Sequence, residues 1–331
     1  MQQDRSTTGR VTRRTLLGAA ASLAAAPALA ACPVGPPPHQ KGPLVFMNYD
    51  QVELDASYDQ SVYAPLQAQT KERTTTASAA ARLRIPPLRE AYGPTEIEKL
   101  DIYRAKQPNA PIFVFIHGGA WLNGKAEEYG YAAELFHNAG ATFVVLDFIE
   151  ARGANGDIGM MAEQVKRAIA WVYKNAKSFG GDPDRLYIGG HSSGGHLCGV
   201  ALTADWQKEH GIDPRFIKGG LCMSGLYDMK PVRLSKRGSY VKFTDDLEQR
   251  MSSLRFIERL HAPIIVTYGN HETPDFQRQN RDFAAAVKAA GKPVELVEAK
   301  GYGHFEMGES LGHPYGPNGR AALQLMKLSG V

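Results

Sequence analysis

The stretch LYIGGHSSGGHL, residues 186–197, constrains this 331-residue chain more than any other. Leu186, Tyr187 and Ile188 read as a short buried strand, set off by the turn residues Asp182, Pro183 and Asp184. Gly190-His191-Ser192-Ser193-Gly194 then matches G-x-S-x-G, a serine held on a sharp strand-to-helix turn. Such a turn presses neighbouring backbones together, so positions 190 and 194 must lack a Cβ, and it strains the residue at its tip. Ser192 would then stand at the carboxyl end of a sheet as a nucleophile. N–H groups opening the next helix, beginning with Ser193, point to the same place and favour negative charge there. An ordinary glycine-rich turn gives the same five letters, so the partners of such a serine have to be found elsewhere in the chain.

Those partners occur in a workable order. Residues 111–116 are an unbroken apolar run, read as a strand buried on both faces, and it ends in His117-Gly118-Gly119-Ala120-Trp121. The glycines of that loop leave N–H groups accessible, making Gly118 and Gly119, with Ser193, the candidate donors to a developing oxyanion. Residues 263–268 form another buried run, which leads into two acids at a strand end, Glu272 and Asp275. Residues 294–297 read as a last strand, followed by His304 between Gly303 and Phe305. A serine, a base to take its proton and an acid to orient the base are what acyl transfer through a covalent intermediate needs.

The remaining pattern alternates strands with helices. Strands are expected over residues 97–104 (antiparallel), 142–148 and 217–223, and helices over 67–83, 128–138, 161–179, 245–260, 281–290 and 318–328. In 161–179, Val165, Ile169, Val172 and Tyr173 have the spacing of an amphipathic crossover helix. The alternation implies an α/β fold with a mostly parallel central sheet, helices on both faces, and ligands at the carboxyl ends of the strands, where all four motifs lie. With 43% hydrophobic residues, residues 44–331 can form one large domain. Only residues 227–262 are spare length between core strands, so no large cap is expected, and residues 44–89 should pack beside the entrance. Trp121, Tyr227 and Phe305 are the aromatics that strand order brings near that entrance; core packing is the competing account of each.

Residues 1–31 read as an address. Thr12-Arg13-Arg14-Thr15-Leu16-Leu17 resembles a twin-arginine export signal, and the alanine-rich apolar run that follows is short for a membrane span. Leu29-Ala30-Ala31-Cys32 resembles a lipobox, with Cys32 as the lipidated residue, while Ala28-Leu29-Ala30 suits ordinary cleavage. The expected mature protein is periplasmic or tethered to the membrane through Cys32, with residues 32–43 as a proline-rich tether. Of the net charge of +4, the leader contributes three through Arg5, Arg10, Arg13 and Arg14 against Asp4, so the remainder is near neutral. No nucleic-acid partner is expected: Lys166-Arg167, Lys236-Arg237 and Arg278 with Arg281 are short clusters that read as solvated faces. The ten histidines do not fall into metal-ligand spacing, since His271-Glu272 lacks the second histidine of H-E-x-x-H and no C-x-x-C pair exists. No metal or cofactor is therefore expected, and Cys198 and Cys222 read as buried thiols.

Over residues 96–328 the sequence resembles the α/β-hydrolase superfamily, most closely its arylformamidase (kynurenine formamidase) and carboxylesterase group. The words that carry the resemblance are H-G-G-A-W at 117–121, H-S-S-G-G-H at 191–196, H-E-T-P-D-F-Q-R-Q at 271–279 and G-H-F-E at 303–306. The resemblance implies a cofactor-free serine hydrolase of small aryl or short-acyl esters, and of N-formyl or other activated amides. It places the catalytic acid on Glu272 and makes Asp275 a structural neighbour; the group more commonly has Asp at the first position. A dedicated arylformamidase, an acyltransferase using the same residues and a non-catalytic binding lipoprotein are the alternatives.

Overall fold

The longest apolar runs of the chain become its central strands. The computed structural model describes residues 35–328, so the expected leader 1–31 and Cys32 lie outside the described residues. Eight strands form the main sheet: β1 (Leu88–Ala91), β2 (Lys99–Tyr103), β3 (Ala110–Ile116), β4 (Thr142–Leu146), β5 (Gly181–His191), β6 (Ile217–Met223), β7 (Ile264–Gly269) and β8 (Val294–Ala299). Their order is β8-β7-β6-β5-β3-β4-β2-β1, and only β2 runs against its neighbours. Every residue of β3 is buried because helices cover both faces of the sheet. Its side chains divide with a period of two: Ile112, Val114 and Ile116 join one core, Phe113 and Phe115 the other.

The first core is closed by the Ile158–Asn175 helix, which starts where the Asp157 carboxylate accepts the Gly159 N–H. Met161, Val165, Ala168, Ile169 and Val172 face inward at helical spacing. The second core holds Phe113, Phe136 and Phe143 stacked at 4.8 Å between neighbouring rings, with Ala321 and Ala322 of the Pro317–Leu325 helix. Each of these phenylalanines contributes about 1.5–3 kcal/mol by leaving water.

Several elements differ from expectation for local reasons. The helix expected from 281 begins at Pro274 and runs to Ala289, because proline fits the first turn, where its missing N–H has no partner to lose. The stretch 245–260 splits into an Asp245–Met251 helix and a 3-10 segment, Ser253–Arg259. Between them Ser252 turns inward, its hydroxyl bridging Glu248 O and the Met229 N–H. β1 is an edge strand whose side chains lie mostly outside the core, so no apolar alternation announces it. Nor does any pattern announce the short Leu44–Phe46/Tyr49–Asp50 hairpin or the Gln51–Ser57 helix after it. The described part of the tether has no regular structure and is pinned to the body at Asp50, which accepts from Gly42 N and His39 Nε2 at 2.8 Å each. No described helix is long and apolar enough to cross a membrane.

Candidate active site

β5 passes into the Ser193–Leu202 helix through Ser192, whose backbone has φ 60° and ψ −124°. A non-glycine residue in that region costs on the order of 1–3 kcal/mol and survives only if its surroundings over-determine it. Here the Ser192 N–H donates to Met223 O and the Ser192 carbonyl accepts from His196 N, both at 3.0 Å. A Cβ on Gly190 would lie 2.1 Å from Gly194 O, and one on Gly194 would lie 2.1 Å from Ile116 O. The two glycines let the ends of β3 and β5 and the first turn of the helix crowd together, and Ser192 is the residue left at the crest.

Loops at the ends of β7 and β8 bring the other groups in. His304 Nε2 lies 2.8 Å from Ser192 Oγ, and His304 Nδ1 lies 2.8 Å from Glu272 Oε2. Glu272 is fully buried, and its second oxygen accepts from Ser224 Oγ at 2.6 Å and Gly269 N at 2.7 Å. Three donors thus fix one carboxylate in a single orientation. Ser224 was not anticipated; its signal is its place, one residue beyond the end of β6 on the same sheet edge. His191 donates Nε2–H to the backbone O of His304 at 2.9 Å. Burial, reinforced by the neighbouring His304, holds its pKa well below the ordinary histidine value, so it serves as a neutral donor. Asp275, the alternative acid, faces away: it accepts from Tyr58 OH and from Arg278 Nε, the latter at 2.7 Å.

The loop after β3 approaches from the other side. Gly118 and Gly119 line the cleft with Ser192, and neither N–H has an acceptor among the described residues. His117 Nδ1–H donates to Gly118 O at 2.8 Å, its ring stacked between Phe148 and Tyr129, so the loop is held before any substrate arrives. Trp121 and Tyr227 do not line the cleft, a correction to the substrate contacts expected above. Each satisfies its polar atom inside the core: Trp121 Nε1 donates to His196 Nδ1 at 3.2 Å, and Tyr227 stacks on Phe283 at 4.0 Å with its hydroxyl on Asn280. Phe305 does face the cleft.

His196 donates its other nitrogen to Met251 O at 3.0 Å, and burial pushes its pKa from 6.5 down to about 4. Between those values the unfolded chain takes up a proton that the folded chain refuses. The stabilisation is complete above pH 6.5 and is lost as pH falls towards 4. His196→Gln should therefore flatten the decline in melting temperature across that window; an unaltered slope would show that the decline has another source.

Around Ser192 the cleft has two lobes, of about 230 Å³ and about 410 Å³. Thr70 and Lys71 of the Gln67–Arg84 helix, with Tyr129 and Tyr131, wall the smaller. Tyr58, Gln60, Arg237 and Tyr240 wall the larger. Residues 44–89 thus lie beside the entrance, and 227–262 contributes to the cleft chiefly through Lys236, Arg237 and Tyr240. The basic pairs are not all solvated faces: Arg237 is buried against Trp121, Tyr58 and Phe276, and Lys166 is buried beside Glu163 and Glu209. Cys198 and Cys222 are buried free thiols. Among the described residues, groupings with metal-ligand geometry are His39/Asp50/Glu53 and Glu163/Glu209/His210, neither of which includes a residue of this cleft.

Comparison with known proteins bears on this arrangement. A family described as BD-FAE matches residues 100–218. Kynurenine formamidase of Danio rerio is 30% identical over 227 residues, covering 66% of this chain and 75% of that protein. The chain is an α/β-hydrolase of the arylformamidase and carboxylesterase group. Esterase LipC of Mycobacterium tuberculosis is 28% identical over 257 residues, 70% of this hydrolase and 63% of LipC. The fold matches EstE1, a thermostable carboxylesterase from a metagenomic library, with a TM-score of 0.61 at 20% identity over 80% of this hydrolase and 95% of EstE1. It is a hydrolase of the esterase and formamidase type.

Proposed function

We propose that this hydrolase cleaves small carboxylic esters, aryl and short-acyl ones in particular, through a covalent acyl-enzyme on Ser192. The observation that carries the reading is the continuous chain from Ser192 Oγ through His304 to Glu272, with both hydrogen bonds at 2.8 Å. His304 Nε2 takes the Ser192 proton as Oγ bonds to the carbonyl carbon, and the same proton passes to the departing alcohol or amine as its bond to carbon breaks. Water then repeats the sequence, giving up a proton to His304 and releasing the acid. Glu272 holds Nδ1–H and stabilises the imidazolium formed in each half. The N–H groups of Gly118, Gly119 and Ser193 would stabilise the tetrahedral oxyanion, each worth about 2.7–4 kcal/mol when the geometry is met. Phe305 forms part of the substrate wall.

The similarity to kynurenine formamidases supports a second reading, hydrolysis of N-formyl aryl amides by the same steps. A panel of aryl acetates, longer aryl esters, alkyl esters and N-formylkynurenine separates the two. The expected result is preference for aryl esters, with a steep fall once the acyl chain exceeds about four carbons, given lobes of only a few hundred Å³. Fast turnover of N-formylkynurenine with weak ester activity would instead assign a dedicated arylformamidase.

We propose also that residues 1–31 direct export by the twin-arginine route and that Cys32 carries a lipid. The paired Arg13-Arg14 ahead of an apolar run and the small residues before Cys32 support this. Arg13→Lys with Arg14→Lys should leave precursor in the cytoplasm, and Cys32→Ala should shift the mature protein from the membrane to the soluble fraction. Unchanged partitioning of the Cys32→Ala protein would mean plain secretion.

A further inference from the structure

A cation without a counter-ion forms part of the wall of the larger lobe. Arg237 is 4% exposed, and its side chain makes one hydrogen bond among the described residues, from Nε to Tyr58 O at 3.2 Å. Nη1 is buried with no acceptor, and no described carboxylate pairs with the guanidinium. The rings of Trp121, Tyr58 and Phe276 lie 5.2, 5.7 and 5.7 Å from it. Such contacts ease the burial of a cation but do not satisfy its N–H groups. Gln60 lines the same lobe, almost as deeply buried, and neither its Nε2 nor its Oε1 has a partner. Lys236, the next residue, is already neutralised by an ion pair with Asp59. The wall of this lobe, which Ser192 also lines, therefore holds one positive charge with no counter-ion among the described residues and two side chains with unsatisfied polar atoms.

We propose that Arg237 and Gln60 form a carboxylate-binding subsite, so that the substrates cleaved at Ser192 are esters or amides of molecules that also carry a carboxylate. This rests on the serine-hydrolase reading above and extends it to a substrate class. A planar guanidinium presents paired N–H groups that match the two oxygens of a carboxylate, and the Gln60 amide can supply a further donor. One free charge fits a monoanion; a phosphate dianion would gain a second cation only by taking Lys236 from Asp59. The carboxylate is not transformed: it anchors the molecule while the bond at Ser192 is broken.

The test uses pairs of esters matched in size. The acetate esters of 3- and 4-hydroxybenzamide are compared with those of 3- and 4-hydroxybenzoate, which carry the charge on the leaving group. Phenyl butanoate is compared with monophenyl succinate, which carries it on the acyl group, each rate corrected for spontaneous hydrolysis. The charged member of at least one pair should be favoured by about tenfold or more in kcat/KM, as a charge-assisted hydrogen-bond pair provides. Arg237→Met should bring that ratio close to one, and Arg237→Lys should restore part of it. On the wild-type protein, benzoate should inhibit phenyl acetate hydrolysis competitively while benzamide does not, a comparison that stands even if Arg237→Met fails to fold. Neutral esters preferred in both pairs, or equal inhibition by benzoate and benzamide, would overturn the subsite. Calorimetric titration of the Ser192→Ala protein with benzoate separates the two readings. Binding there supports the subsite whatever the catalytic residue, and absence of binding removes it even if Ser192 proves to be the nucleophile.

Discussion

Ser192→Ala is expected to lower kcat for p-nitrophenyl acetate by roughly a millionfold, the scale seen when a hydrolase nucleophile that acts with a base and an acid is removed. His304→Ala should do nearly the same, and the double variant should be little worse than either, because each substitution alone disables the same step. What survives should be the contribution of the Gly118 and Gly119 N–H groups and of binding, so neither variant should fall quite to the rate in water. Folding should not confound the measurement. Among the described residues the Ser192 side chain makes one hydrogen bond, to His304, while the turn is held by backbone bonds at 3.0 Å and by the glycines at 190 and 194. A melting curve beside each rate would show this. Turnover of Ser192→Ala within about tenfold of wild type would mean that the acyl group is not carried on Ser192, and the same result for His304→Ala would mean that another group takes its proton.

The parts of this molecule legible from sequence are those where local pattern and tertiary role coincide. The seven residues of β3 are apolar because both faces are covered, and so read as a buried strand. The elbow glycines read correctly because the close approach that requires them lies within a few residues of chain. Strand order alone put an acid and His304 on the edge that holds Ser192, but it could not choose between Glu272 and Asp275, three positions apart. The choice depends on one long-range contact for each: Ser224 faces one carboxylate and Tyr58 the other, while Gly269 and Arg278, each three positions away along the chain, complete the two sets. The burial of Arg237 is hidden in the sequence because its contacts are long-range. A Lys-Arg pair in a polar segment looks solvated unless one knows that Tyr58, Trp121 and Phe276, from three other parts of the chain, enclose it. Trp121 and Tyr227 show the converse, aromatics close in sequence to the site whose polar atoms find partners in the core.

Glu272→Gln is expected to lower kcat about ten-thousandfold while leaving the protein folded, the scale of a carboxylate-to-amide change at the orienting acid of such a relay. The direction follows from the donors around the group. Glu272 Oε1 accepts from both Ser224 Oγ and Gly269 N, so a glutamine must turn its carbonyl oxygen to that side. Its NH₂ then points at His304 Nδ1, 2.8 Å from the present Oε2, and the histidine can meet a donor there only as an acceptor. The ring proton must move to Nε2, where it faces Ser192 Oγ and leaves no lone pair to receive the hydroxyl proton. Asp275→Asn should behave oppositely. That carboxylate accepts from Tyr58 and Arg278 and touches neither Ser192 nor His304, so the variant should melt earlier yet keep kcat near wild type. Rates and melting temperatures measured for both variants decide the matter. A near-normal rate in Glu272→Gln with a collapsed rate in Asp275→Asn would exchange the roles of the two acids and require a conformation in which Asp275 swings away from Arg278 to reach His304.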